Sequence, residues 1–410
     1  MKYSTEDPER IAALCGMIWF VCIMDACFTW MLPWTMRYII GAPFVVYSTI
    51  LLNQSHKLNV TKEKRQAIFL LILLVLLQTL DYRFNAILCY GPLALILLWD
   101  EQTLLRLYFH FKRFIVFYAF ISIFVEVLVM TDTWRYLPYI DLPPQDVVQE
   151  NNNAVNHFFG LFVIPEYGTS FLSFYRAMGP LREGGHFAIF LGYVYFVEKC
   201  VFGRRHYLII LSGLLTISPN FVIFYLLSEG YVALSHKKVF KFATQIVVLV
   251  LSVVLVVLLL PAFLQEALLQ VVLERSFIES SENIQSDGLM AIFTDRTDPG
   301  GEQMYERFVK RSGLIYKLKG ISIEKDDFVL SDFRTLLIHY GYIGMILFVG
   351  ITYYISRMCK NRFYGLCLFL TGVVVMMFRG WMLIQSYIWV MMMLASVAYY
   401  TNIKNITKKK

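Results

Sequence analysis

The chain has 410 residues, 58% of them hydrophobic and 16% charged, with a formal net charge of +7. A soluble domain is about 45–50% apolar and about 25% charged, so a soluble globular fold is excluded. The positive charge does not argue for a nucleic-acid partner, because its distribution along the chain explains it.

Runs such as 68–77 and 246–260 lack a polar face, so their surroundings must be apolar on every side. A hydrocarbon core takes about 20 apolar residues per helical span. The expected fold is all-α, a polytopic membrane bundle of about twelve helices forming one transmembrane domain over 1–410. Spans are expected near 11–31, 34–52, 66–80, 84–99, 113–130, 185–198, 206–217, 219–235, 240–261, 334–355, 363–379 and 381–401. The first reads as a retained helix, not a cleaved signal peptide, because no small-residue cleavage site follows it. The pair 206–217 and 219–235 turns sharply at Pro219; one tilted helix there would leave eleven spans.

Lys and Arg in short loops set orientation. Segments 53–66, 100–113, 199–206, 235–241, 356–362 and 402–410, with Lys2 and Arg10, hold 22 of the 37 basic residues. All fall on one side of the twelve-span arrangement, which is the expected cytoplasmic side, with both termini there. The long connections 131–184 and 262–333 fall on the other side. Both hold more acidic than basic residues, so single arginines in them need another explanation. The seven cysteines form no CxxC pair, and a disulfide framework or zinc site is not expected.

The first long loop ends in the polar cluster 175–186, where Arg176, Arg182, Glu183 and His186 are interleaved with Gly179, Gly184 and Gly185. Arginine presents a fork of donors suited to phosphate oxygens. Glycines allow a tight path, and N–H groups at a helix start favour anions. Glu183 and His186 are spaced to share one face of a first turn, where either could move a proton. The competing reading is a charged interfacial turn with a solvated His186. In the second loop, 264–277 reads as an amphipathic surface helix, and 298–301 as a turn. Arg296, Arg307, Lys310 and Arg311 form a basic stretch inside an otherwise acidic loop; a solvated helix face is the plainer reading. Asp332 suits a helix N-cap, followed by Arg334 and His339 at the membrane boundary. Asp25, Glu126 and Glu229 fall inside expected spans, where charge is costly without a partner.

These residues resemble the O-antigen polymerase and O-antigen ligase superfamily of bacterial polysaccharide assembly. Four features carry the resemblance, across 170–350. Arg176, Gly179 and Glu183 match an Arg-x-x-Gly-x-x-x-Glu pattern, with Gly184 where the family usually has Pro. Leu214 to Ser218 is similar to a Leu-Thr-x-Ser segment. Arg307 or Arg296 precedes Gly320 in a long outer loop, and Tyr340-Gly341-Tyr342-Ile343-Gly344 follows a polar entry. The resemblance implies polymerisation of undecaprenyl-diphosphate-linked oligosaccharides on the outer face of the bacterial cytoplasmic (inner) membrane. In that reading Arg176, Arg307 and Arg334 meet the diphosphate, with Arg182 and Arg296 in reserve. Glu183 or His186 is the base, and Asp332 and His339 support. No cofactor and no metal are implied, and a chain-length regulator is an implied partner. The alternatives are ligation to lipid A core and flipping or transport of a lipid-linked saccharide. The large outer loop 262–333 lacks the histidine that ligases of this type use, which favours the polymerase.

Overall fold

The computed structural model describes residues 7–24, 32–79, 85–137, 184–216, 218–238, 299–321, 332–379 and 386–408. It also describes the short segments 140–142, 155–158 and 162–165 and positions 29, 177, 179–181, 240, 242–244 and 247. Helices account for nearly all of them. Helix α1 (Pro8–Ile23) starts where Asp7 accepts a hydrogen bond from the Glu9 N–H and Pro8 fills the first turn. It packs along α2 (Trp34–Gln54), which carries Pro43 in its interior. Then come α3 (Lys62–Thr79), α4 (Asn85–Ile96) and α5 (Glu101–Met130).

Helix α5 begins well before the expected start at 113. Asp100 caps it by accepting from the Thr103 N–H at 3.1 Å. The basic segment expected as a loop therefore continues the helix, and its cations Arg106 and Lys112 find acidic partners. A short 3-10 turn, Thr133–Tyr136, follows. Three strands, Ile140–Leu142, Val155–Phe158 and Phe162–Pro165, then pair antiparallel in chain order, a small sheet within the first long connection.

Helices α6 (Gly184–Cys200), α7 (Tyr207–Leu215) and α8 (Pro219–Ser235) come next. The break at Pro219 separates α7 from α8, and the Phe221 ring occupies the space beside Gly213, so the two lie in close contact. With 9 residues, α7 is only about 14 Å long and too short to cross a bilayer by itself. The expected span 240–261 lies almost wholly outside the described residues, and the surface helix 264–277 entirely so. The second long connection contains α9 (Pro299–Arg311) and α10 (Leu314–Lys319). The chain ends with α11 (Phe333–Arg357), α12 (Arg362–Phe378) and α13 (Tyr387–Lys408). Helix α13 starts six residues later than expected, after Ser386 in a left-handed conformation (φ 62°).

Three of these helices have the length and apolar composition to cross a membrane: 35–54, Glu101–Met130 and Phe333–Arg357. Their outward faces are apolar too. On α5, Phe117, Phe120, Phe124 and Val127 recur at helical spacing and are all about half exposed. Phe69, Ile72 and Leu76 do the same on α3. A soluble helix would bury such a stripe; here it needs an apolar medium. The interior is filled by large aromatics, among them Trp19, Trp99 and Trp389, each fully buried. The indole N–H of Trp99 donates to Thr49 and that of Trp389 to Thr352, so two of these interior N–H groups are satisfied.

Candidate functional site

The basic short loops gather at one end of the bundle. Lys57 pairs with Glu9 at 3.0 Å, and Arg106 pairs with both Asp7 and Glu9. Asn59 and Asp100 exchange backbone hydrogen bonds with Leu98 and Lys57, tying 53–66 to the start of α5. The Arg106 guanidinium holds the Asp7 carboxyl below its usual range, and Glu9 raises the Lys57 ammonium. Lys112 pairs with Glu198 at 2.7 Å, and the Tyr108 hydroxyl donates to the same carboxylate at 3.0 Å. Glu229 receives Lys199 at 2.8 Å, Arg205 at 3.3 Å and the Tyr195 hydroxyl at 2.6 Å. Its charge inside an expected span is thus matched by cations of the 199–206 segment. The Asn402 amide donates to the Val201 carbonyl, and Lys360 and Asn361 reach Tyr400 and Tyr399. The C-terminal helix and the 356–362 turn therefore share this end.

The opposite end carries the candidate site, and its centre is a break in α11. Gly341 has φ 64° and ψ −172°, non-helical values that divide the helix. Gly320, just after α10, is also at positive φ, 86°. A Cβ on Gly341 would collide with the Leu318 carbonyl and the Gly320 N–H, and one on Gly320 with the His339 carbonyl. The Ile321 N–H donates to the Ile338 carbonyl at 2.7 Å, giving the interrupted helix a replacement partner. Just above, Phe308 of α9 is buried against Leu337 and Ile338, with Met304, Tyr305, Val309 and Ile321 around it.

A cluster of hydroxyls lies beside the break. The Tyr340 and Tyr90 hydroxyls are 3.0 Å apart. Ser386 donates to the Cys89 carbonyl at 3.2 Å, and the Tyr38 hydroxyl lies near the Cys89 thiol. The Tyr387 ring packs at a tilt against Phe190, with centroids 5.5 Å apart, one turn into α6 from His186. The starts of α2, α4, α6 and α13 and the break in α11 therefore converge at one level of the bundle.

The sequence-predicted site residues divide around this region. Arg176, Arg182, Glu183 and Arg296 lie outside the described residues, as does Asp25. His186 is in the first turn of α6 and buried at 5% exposure. Close by, Gly179 takes φ 59°, and the Phe187 ring occupies its Cβ position, so Gly179 packs directly on α6. The Ala177 N–H donates to the Leu215 carbonyl at the end of α7. Arg307 is exposed on α9, one residue before the buried Phe308. Its neighbour Lys310 pairs with Glu306 at 3.2 Å.

Arg334 is buried at 1% exposure and forks onto Asp332, with Nε at 2.9 and 3.1 Å and a terminal nitrogen at 2.7 Å. Asp332 also caps α11, accepting the Arg334 backbone N–H at 2.8 Å. The guanidinium lies 5.6 Å over the Tyr305 ring, and burial pushes the Tyr305 phenol up. His339 is half-buried at the break, and Glu126 is buried in α5. Sequence reading missed the group around Tyr38, Cys89, Tyr90, Ser386 and Tyr387. Nothing in spacing marks it, because its members come from three helices far apart in the chain. An open apolar groove of about 510 Å³ also runs beside Pro43 between α2 and α4, lined by Ile39, Val46, Tyr47 and Leu88 among others.

No family model matches the chain, and no curated protein or solved structure matches it. Fold and surface define the class directly: a helical, membrane-associated protein with its ionic clusters at one end and a sealed helix break at the other.

Proposed function

We propose that this chain sits in the bacterial cytoplasmic membrane with about twelve membrane helices, the short α7 forming with α8 a hairpin that returns to the side it left, so that both termini and the ionic end are cytoplasmic. We further propose that it polymerises undecaprenyl-diphosphate-linked oligosaccharide repeat units at the outer end. One observation carries the reading. The basic helix α9 is fixed over the broken start of α11, so Arg307 and His339 sit at the same end of the bundle as His186. The tyrosine and serine cluster lies between them.

The chemistry needs two kinds of group. The acceptor sugar hydroxyl attacks the anomeric carbon of the donor, and the bond from that carbon to the phosphate oxygen breaks. The electron pair leaves on undecaprenyl diphosphate, and the hydroxyl proton passes to a base. Arg176 and Arg307 stabilise the charge that builds on the leaving diphosphate. Glu183 or His186 takes the proton. Arg182 and Arg296 are further diphosphate contacts. Arg334, held by Asp332, acts through electrostatics and by fixing α11. The groove beside Pro43 suits an isoprenoid chain.

The break in α11 favours one second reading, a lipid-linked saccharide flippase, since transporters use interrupted helices. Against it, the break is near one end of α11 and is filled by Gly320. Polymer banding in a deletion strain separates the readings when protein level is followed in parallel. Arg176→Ala should lower transfer by about 10²- to 10³-fold, the usual cost of one preorganised charge stabiliser. Glu183→Gln should slow transfer and keep donor binding, and His186→Ala tests the rival base. Normal banding in all three, at normal protein level, would move the flippase ahead.

A further inference from the structure

The short helix α10 presents an apolar face that no part of the described chain covers. Leu314 is 74% exposed, Ile315 71% and Tyr316 54%. The segment is nonetheless held firmly. Gly320 at its end is packed backbone to backbone on Gly341, and the Ile321 N–H is bonded to the Ile338 carbonyl. The depth of that attachment identifies what meets the apolar face. Counting about 20 residues back from Arg357, the length needed to cross the hydrocarbon core, puts the far hydrocarbon edge near residue 338. The α10 attachment point, 338–341, is at that edge.

The surface beside it is continuous with the lipid-facing side of α11. Tyr342, Ile343 and Ile346 are 45%, 41% and 71% exposed, and Tyr342 neighbours Tyr305 of α9. Two cations, Lys317 and Lys319, alternate with the apolar residues on the same short helix. Leu, Ile and Tyr beside Lys is the composition of a segment lying in the headgroup–acyl boundary, its apolar side chains about 5–10 Å deep.

We propose that α10 is an interfacial anchor, seated in the phospholipid leaflet at the Phe333 end of α11. Leu314, Ile315 and Tyr316 enter the acyl region, and Lys317 and Lys319 lie at the level of the lipid phosphates. Through the Gly320–Gly341 contact, this anchor fixes the height of α9 and Arg307 above the membrane. The inference does not depend on which leaflet this is, or on the sugar chemistry.

The test is photocrosslinking in the full-length protein. A benzophenone amino acid replaces Ile315, Ile346 or Lys310, one at a time. Each variant is reconstituted in phosphatidylethanolamine and phosphatidylglycerol vesicles, irradiated and weighed intact. Ile315 is exposed, so its replacement leaves the fold in place; Leu314 serves as a second position. Phospholipid-mass adducts are expected at 315 and 346, and none at 310. An adduct at 346 with none at 315 or 314 overturns the proposal. A doubled protein mass from 315 overturns it in favour of a second copy. Loss of adducts at both 315 and 346 overturns it together with the membrane reading of α11.

Discussion

Gly320 and Gly341 meet backbone to backbone, each at positive φ, and between them they close the break in α11. Neither position has room for a methyl group, and neither backbone suits an L side chain. Gly341→Ala and Gly320→Ala should each destabilise the protein by about 1–3 kcal/mol or more, adding strain to collision. The double variant should lose less than the sum, because both changes damage one contact. Thermal unfolding of purified protein in detergent measures all three. Unaltered transitions would mean that the break is not closed as described.

Arg334 raises a sharper question, because its guanidinium already holds the Asp332 carboxylate. Removing one member of a buried pair costs about 3–5 kcal/mol, most of it from the charge left behind. Arg334→Ala should therefore lower protein level and thermal stability. Arg334→Lys, which keeps charge but loses the fork, should fall between. Loss of polymer at normal stability would instead assign Arg334 to the diphosphate.

The ionic end allows a cleaner double-mutant cycle. Lys112→Met removes the ammonium that neutralises the Glu198 carboxylate, 1% exposed, and leaves it hydrogen-bonded to the Tyr108 hydroxyl. A loss of about 3 kcal/mol is expected. Adding Glu198→Gln should restore most of it, since the uncompensated charge is gone. Additive losses in unfolding experiments would show that the two side chains do not couple.

Orientation is testable without activity. Reporter fusions at Lys62, Lys237 and Lys410 should report cytoplasm, and fusions near Asp146 and Gln303 the outside. A cytoplasmic signal from either long connection would reverse the orientation and remove the proposed chemistry from the outer face.

Arginine supplies the positive charge in the proposed transfer, so purified protein should keep its turnover in EDTA. Loss of turnover in chelator, restored by Mg²⁺ or Mn²⁺, would contradict that mechanism.

The sequence by itself determined the solvent. Apolar runs without a polar face can be stable only in an apolar medium, and the half-exposed phenylalanines of α5 bear that reading. It also located most helices, because caps such as Asp332, and prolines such as Pro219, are local signals. Tertiary structure alone decided the rest. Helix α5 extends back to Glu101 because Arg106 and Lys112 find acids on α1, its cap and α6, partners that no periodicity displays. The Gly341 break was visible only as a glycine between two tyrosines. It exists because Gly320, distant in the chain, brings its backbone close enough to replace helical contacts. Arg334, a diphosphate candidate by residue type, is turned onto Asp332 by the N-cap geometry at the start of α11. Local chemistry fixes what a residue can do; the geometry of packed helices fixes which partner it meets.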